Sequence, residues 1–462
     1  MKQSYSKNKK IYLACFLIAV FVYYFIWSIL KPYNYGPDEY VRFPAYYYLF
    51  VNNTLPTGWV EEIRNEFWGF SYAFYYTWLP GIFSVICMKI VSLFTTSSGI
   101  LLYAARFPSV LAGVLGIFLT FKISDTILED EKTKWFITFF AAGIPQFAFL
   151  SSYVNNDIFA LAGALVIVLS WVKSAKDKLN VSNSLLMAAG IIITALSYYN
   201  SYGWILFSAL FLIILYVAKK DERKSILKNI IHIAVVVILF TGFFVVRNAI
   251  IYKGDIFGLK SLAESSEMYA VDTLKPSARE TLKNQGLPMV SLLKDKDYVF
   301  STERSFFAAF AYTDVLAPYL VYMIYRFVTL AGLIGFVISL LIRFFKKEKN
   351  KSIFYTIIPV ILSAASVVFL SLYYSYATDY EPQGRYLYPA LPALIIALGL
   401  GYELFFNIKK IPKAVGVSIS LTLTVILFAV SLYCFFFVYL PSEFELASMS
   451  NLESFINTFP NR

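Results

Sequence analysis

Apolar residues along this chain gather into long runs instead of alternating with polar ones. Most runs extend over about 18 to 25 residues, the length a helix needs to cross a hydrocarbon core of about 30 Å. Spans are expected at Ile11–Leu30, Ile100–Ile123, Trp135–Ser152, Ile158–Val172, Leu185–Tyr199, Trp204–Val217, Ile230–Ile250, Tyr319–Ile342, Ile353–Tyr374, Tyr388–Phe406 and Ala414–Leu440. A further apolar stretch, Tyr72–Phe94, reads as an aromatic helix broken near Pro80–Gly81. The pattern predicts an all-α polytopic membrane protein with about eleven transmembrane helices. It excludes a stack of water-soluble domains, a disordered chain, and an outer-membrane barrel with its short alternating strands. Composition agrees: the 462 residues are 59% hydrophobic and 15% charged, against about 45–50% and 25% in soluble domains.

Charge then orients the spans. The formal net charge is +11, and 23 of the 40 Lys and Arg residues lie in six short clusters: Lys2–Lys10, Lys122–Lys134, Lys173–Lys178, Lys219–Lys228, Arg343–Lys351 and Lys409–Lys413. The positive-inside rule asks for all six on the cytoplasmic side. Eleven crossings satisfy it only if Tyr72–Phe94 does not cross, so this stretch is expected to lie along the outer interface or to re-enter. The first span lacks a small-residue cleavage site and reads as an uncleaved anchor with a cytoplasmic N-terminus. Residues 1–440 are then one transmembrane domain with large outer segments at 31–99 and 252–318, followed by a short outer tail, 441–462. The basic surplus is a product of topology, and nucleic acid is not expected as a partner.

Scarcity narrows the chemistry. His232 is the sole histidine, and Cys15, Cys87 and Cys434 are far apart in apolar runs, so neither a His-based zinc site nor a disulfide framework follows. Carboxylates and arginines must do any chemistry. Gly36-Pro37 forces a turn after the first span and sets Asp38 and Glu39 at the membrane surface. Asp38 reads either as the cap of the next helix or as a general base whose basicity burial and the neighbouring acid would raise. Asn155-Asn156-Asp157 forms a second outer turn, suited to capping or to holding a hydroxylated acceptor or an oxygen-liganded cation. Arg247 and Arg385 lie near the outer ends of their spans, where a guanidinium either snorkels or clamps a lipid-linked phosphate. Arg326 is a weaker candidate that could pair with an acid inside the bundle.

On these residues the sequence resembles the GT-C-fold glycosyltransferases, multi-span enzymes that take a sugar from a polyprenyl-phosphate carrier. The matching pieces are Gly36-Pro37-Asp38-Glu39, Asn155-Asn156-Asp157, Arg247-Asn248 with Gly254-Asp255, Ser305-Phe306-Phe307 and Gln383-Gly384-Arg385-Tyr386. The chain is especially similar to a bacterial branch with a Pro-Asp-Glu motif in the first outer loop. That branch usually carries a histidine three residues after the Glu, where this chain has Arg42. The resemblance implies a GT-C-like fold and an inverting transfer to an extracytoplasmic glycan, lipid or protein. Asp38 would be the base, Glu39, Asn156 and Asp157 would orient the acceptor or bind a cation, and any divalent cation (magnesium or manganese) would sit on Asp38 and Asp157. Arg385, Arg247, Gln383 and Tyr386 would hold the donor phosphate. The other classes considered are a transporter or flippase of lipid-linked glycans and an O-antigen-type polymerase or ligase. Internal repeats would favour the former, and no such repeat is evident.

Overall fold

The computed structural model describes residues 2–345, 352–408 and 412–442. Among them, nine helices are long and apolar enough to cross a membrane: Asn8–Leu30, Ser98–Ile127, Asp157–Lys176, Tyr199–Ala218, Lys220–Ile251, Tyr319–Phe345, Ser352–Ala377, Gly384–Phe406 and Lys413–Ser442. The other two expected spans are helical but shorter. Leu185–Tyr199 becomes the helix Val181–Ala195. Trp135–Ser152 becomes two helices, Glu131–Ala142 and Pro145–Leu150, with Ile144 extended between them. Pro145 explains the break, because it has no N–H to continue the ladder. The carbonyl of Gly143 accepts instead from the Tyr325 hydroxyl at 2.5 Å, as freed backbone groups inside a bundle must.

Asp157–Lys176 is the bundle's axis, with 94% of its apolar window buried. It packs against Ser98–Ile127, Val181–Ala195 and Ser352–Ala377. Tyr319–Phe345 and Gly384–Phe406 lie close enough that a Cβ on Gly401 would come within 2.0 Å of the Gly332 carbonyl. Such small-residue contacts are how apolar helices gain packing in lipid.

The expected aromatic helix takes a different form. Tyr72–Phe74 is a single 3₁₀ turn, and the α-helix is Leu79–Ser92 with Pro80 in its first turn. Proline therefore starts this helix and does not break it, as its fixed φ favours. Fourteen residues rise about 21 Å at 1.5 Å each, short of the hydrocarbon thickness.

The first long segment also holds the helix Glu39–Asn52. It builds its own apolar core from residues such as Phe43, Tyr46, Trp78 and Met88 against Leu101 and Ala105. The second contains the helices Leu259–Tyr269 and Lys296–Phe307 and a small antiparallel pairing of Ala309–Phe310 with Val315–Leu316. Ser265 and Ser266 hydroxyls donate to the Gly69 and Trp68 carbonyls at 2.7 and 2.8 Å, tying the two segments together.

The basic clusters meet at the opposite end. Lys9 and Lys134 pair with Asp125 and Glu131 at 2.7–3.2 Å. Lys176 donates to the Thr126 carbonyl and Lys219 to that of Ser174, both at 2.9 Å. The stretches 346–351 and 409–411 of the last two clusters, and 443–462 of the tail, lie outside the described residues.

Candidate functional site

The site is built where the first outer segment meets two helix starts. Asp38 precedes the helix Glu39–Asn52 and has φ +63°, in the left-handed region that Asp and Asn tolerate better than other side chains. Its carboxylate makes no capping hydrogen bond. It turns instead to Arg385, whose Nη2 lies 2.9 Å from Asp38 Oδ2, and to Arg42, whose Nη2 lies 3.4 Å from the same oxygen. A quarter of the Asp38 side chain is exposed, so a substrate can reach it. The capping reading therefore fails for Asp38.

The expected upward tuning of Asp38 also fails. Burial does raise its carboxyl, but the guanidiniums of Arg385 and Arg42 outweigh burial and hold it below the usual carboxylate range. Nor does the adjacent acid act on it at close quarters. Glu39 is fully buried and points to Arg106, with Oε1 2.7 Å from Nε and Oε2 2.6 Å from Nη2. It also accepts from the backbone N–H of Val154 at 3.1 Å and of Asn34 at 3.3 Å. Arg106 completes its fork with the carbonyls of Ser28, Lys31 and Pro32 at 2.6–3.0 Å. This fork–fork pair, surrounded by backbone, locks the 31–39 turn to the Ser98–Ile127 helix.

Asp157 opens the axial helix, yet Asn155 supplies the cap, its Oδ1 accepting from the Ile158 N–H at 3.1 Å. Asp157 is thus released from capping. It is fully buried, and its Oδ2 stands 3.8 Å from Arg385 Nη1. Among the described residues neither Asp157 oxygen has a hydrogen-bond partner. Asn156 is held apart from this group, its Oδ1 accepting from the Tyr46 hydroxyl at 3.1 Å.

Arg385 lies in the 3₁₀ turn Gly384–Ala390. A Cβ at Gly384 would sit 2.2 Å from the Phe306 nitrogen, and the Gly384 N–H donates to Ser305 Oγ at 2.6 Å. Glycine is required here for close approach to the Ser305–Phe306 backbone, which gives that sequence motif its physical meaning. The turn does not leave the guanidinium in water to snorkel, because Arg385 is 3% exposed. Gln383 Oε1 accepts from its Nε at 2.5 Å, and the Tyr386 hydroxyl accepts from Nη2 at 2.9 Å. Arg385 therefore bridges both acids while Gln383 and Tyr386 fix its plane.

Two other sequence candidates go elsewhere. Arg247 donates to the Leu55 and Pro56 carbonyls at 3.1 and 2.8 Å, and Asn248 to that of Phe74 at 2.9 Å. Together they staple their helix to the first outer segment, and among the described residues Arg247 has no partner in common with Arg385. Arg326 pairs with Glu303 at 2.6–2.7 Å, an acid of the outer helix Lys296–Phe307 and not one inside the bundle.

Sequence reasoning missed several members. Arg42 stacks 4.7 Å from the Tyr72 ring and is almost wholly buried, and its Nε and Nη1 have no partner among the described residues. Arg106 had a visible signal, an arginine inside an apolar span. Glu381 stands close enough to feel Asp38 and Asp379. Burial chiefly, with those two acids, pushes its carboxyl up to about 8 against the pull of Arg385. Asp379 is likewise raised, by burial above all. Among the described residues no three His, Cys, Asp or Glu side chains gather as a metal-holding group. The Arg385 guanidinium stands between Asp38 and Asp157, 2.9 and 3.8 Å from their Oδ2 atoms.

A family model described as "Predicted membrane protein (DUF2142)" matches residues 52–394. No curated protein matches the sequence. Among solved structures, the fold is similar to ArnT from Cupriavidus metallidurans bound to undecaprenyl phosphate, with a TM-score of 0.54 at 12% identity, over 92% of this chain and 71% of that one. It is also similar to the oligosaccharyltransferase of Archaeoglobus fulgidus in its apo form, with a TM-score of 0.54 at 16% identity, over 92% of this chain and 56% of that one. The archaeal oligosaccharyltransferase AglB from Archaeoglobus fulgidus, in complex with an inhibitory peptide and a dolichol-phosphate, gives a TM-score of 0.53 at 14% identity, over 92% of this chain and 55% of that one. This chain thus spans about half the length of the archaeal enzyme. The likeness shows a GT-C-like fold.

Proposed function

The chain belongs to the DUF2142 family of membrane proteins, and from that premise and its fold we propose that it transfers a sugar, with inversion, from a polyprenyl-phosphate carrier to an extracytoplasmic acceptor. The single observation that carries the reading is the convergence of two carboxylates, Asp38 and Asp157, on the Arg385 guanidinium, with Arg42 beside them. A similar fold has been seen with undecaprenyl phosphate in ArnT and with dolichol-phosphate in AglB, which supports a lipid phosphate as the donor's leaving group.

In this mechanism the acceptor hydroxyl gives its proton to the Asp38 carboxylate as its oxygen bonds to the anomeric carbon. The bond from that carbon to the phosphate oxygen breaks, and its electron pair leaves on the phosphate. The departing group gains one negative charge, which Arg385 and Arg42 stabilise from fixed positions, usually the largest single contribution to such catalysis. Gln383 and Tyr386 orient Arg385, Asp157 receives acceptor hydroxyls, and Glu39 anchors the turn that presents Asp38. No step is routed through a metal ion. Gathering of the basic clusters at the far end of the bundle supports a cytoplasmic N-terminus and an outer site.

The test is a membrane fraction supplied with a panel of lipid-linked sugars, scored for polyprenyl phosphate released and glycosidic product formed. Asp38→Asn should fold and lose about 10²–10⁴-fold in rate, as removal of a general base does. Normal product yield from that variant would end the mechanism.

A further inference from the structure

Asp38, Asp157, Arg42 and Arg385 form one balanced group, two carboxylates against two guanidiniums. A single oxygen, Asp38 Oδ2, serves both arginines, at 2.9 Å from Arg385 and 3.4 Å from Arg42. The group is unfinished. Among the described residues, Arg42 Nε and Nη1 are buried without an acceptor, and both Asp157 oxygens without a donor. Buried polar atoms left so are costly, and they point to something that completes the set. Asp38 offers the arginines one oxygen, whereas a phosphate offers several that can meet the fork of each guanidinium. Asp379 and Glu381, on the 378–383 segment, are the nearby acids that also feel Asp38, and burial raises the carboxyl of each, so the two guanidiniums carry the charge that an incoming anion meets.

Resting on the transfer reading above, we propose that Asp38 is a placeholder in the anion seat of Arg42 and Arg385, which the donor phosphate displaces. Displacement does two things. The phosphate takes the guanidiniums that had neutralised Asp38, and the freed carboxylate, beside a new negative charge, becomes a stronger base. The acceptor proton is then taken only when a donor is already seated. After transfer, Asp38 sheds its proton to water and competes again for the seat, which helps to expel polyprenyl phosphate. The order of events is set by charge exchange at one oxygen, and no moving lid is needed.

The experiment measures binding of farnesyl phosphate to the purified full chain in detergent micelles, by calorimetry. Asp38→Asn removes the competing anion and leaves the backbone content, since Asn tolerates φ +63°. It should bind farnesyl phosphate at least about tenfold more tightly than the parent, the low end for close charge pairs. It should also show a larger ligand-induced rise in thermal midpoint, because its two guanidiniums lack an anion when free. Asp38→Gly, equally suited to positive φ, repeats the measurement if the Asn variant does not fold. Equal or weaker binding by a folded variant overturns the exchange and leaves the transfer reading standing, provided the parent binds and the variant loses turnover. A parent chain that binds no farnesyl phosphate overturns both.

Discussion

Glu39→Gln is the substitution that best separates frame from chemistry, because it alters the residue next to the proposed base by only one atom. Glu39 makes four contacts, two to Arg106 and one each to the backbone N–H groups of Val154 and Asn34. A glutamine keeps one acceptor oxygen for two of them. Its NH₂ then faces two donors, and the Arg106 charge, fully buried, is left without a counter-ion. Breaking a buried pair on one side typically costs about 3–5 kcal/mol. Specific unfolding entropies scaled to a chain of this length give about 1–2 °C per kcal/mol, so the thermal midpoint should fall by about 3–10 °C. Adding Arg106→Met removes the stranded charge, and the double variant should lose less than the two single losses combined. Thermal unfolding of the purified protein in detergent reads all four corners of the cycle, and turnover per folded molecule should change far less than for Asp38→Asn. A Glu39→Gln protein with the parent midpoint and no transfer activity would refute this reasoning and make Glu39 a catalytic acid.

Other expectations follow from the same geometry. Arg385→Lys keeps the charge but cannot span Asp38, Asp157 and the Tyr386 hydroxyl together, and turnover should fall about 10²-fold or more; parent-level transfer would remove the bidentate account. Glu381, raised from an ordinary 4.5 to about 8 chiefly by burial, keeps a proton that the unfolded chain releases earlier. Stability should therefore decline as pH rises from about 4.5 to about 8 and level off above. Glu381→Gln should flatten that slope in pH-dependent thermal scans, and an unchanged slope would assign it to other groups. Cysteines introduced between Lys173 and Lys178 should be labelled only from the cytoplasmic side; labelling from outside would invert the topology.

The span pattern was legible because lipid leaves the backbone one economical answer, and the hydrophobic run lengths report it directly. What periodicity could not show was where a run breaks. Trp135–Ser152 reads as one span, and only Pro145 hints that the chain leaves the helix beside it. The site was half visible. Asp38, Asp157 and Arg385 come together as their outer positions suggested, while Arg247 and Asn248 serve carbonyls of the first outer segment. Arg42 stood in plain view four residues after Asp38, but its burial depends on Tyr72 and Arg385, which only the fold brings near. Asp38 was misjudged in the direction of its tuning for the same reason. A one-dimensional reading saw the neighbouring acid and missed two guanidiniums, one of them 347 positions away.

The left-handed backbone at Asp38 has a genetic consequence. Two adjacent acids diverge there, one toward a guanidinium carried by the start of a late helix and the other toward a guanidinium in the second span. A saturation library across positions 38 and 39 should accordingly split into two phenotypes along a single peptide bond. Asparagine or glycine at 38 should yield protein that accumulates in the membrane and does nothing, and glutamate there should accumulate less despite keeping the charge, because the longer side chain is poorly suited to positive φ. Changes at 39 should instead deplete the protein itself, so that abundance and specific activity report separately on two letters of one motif.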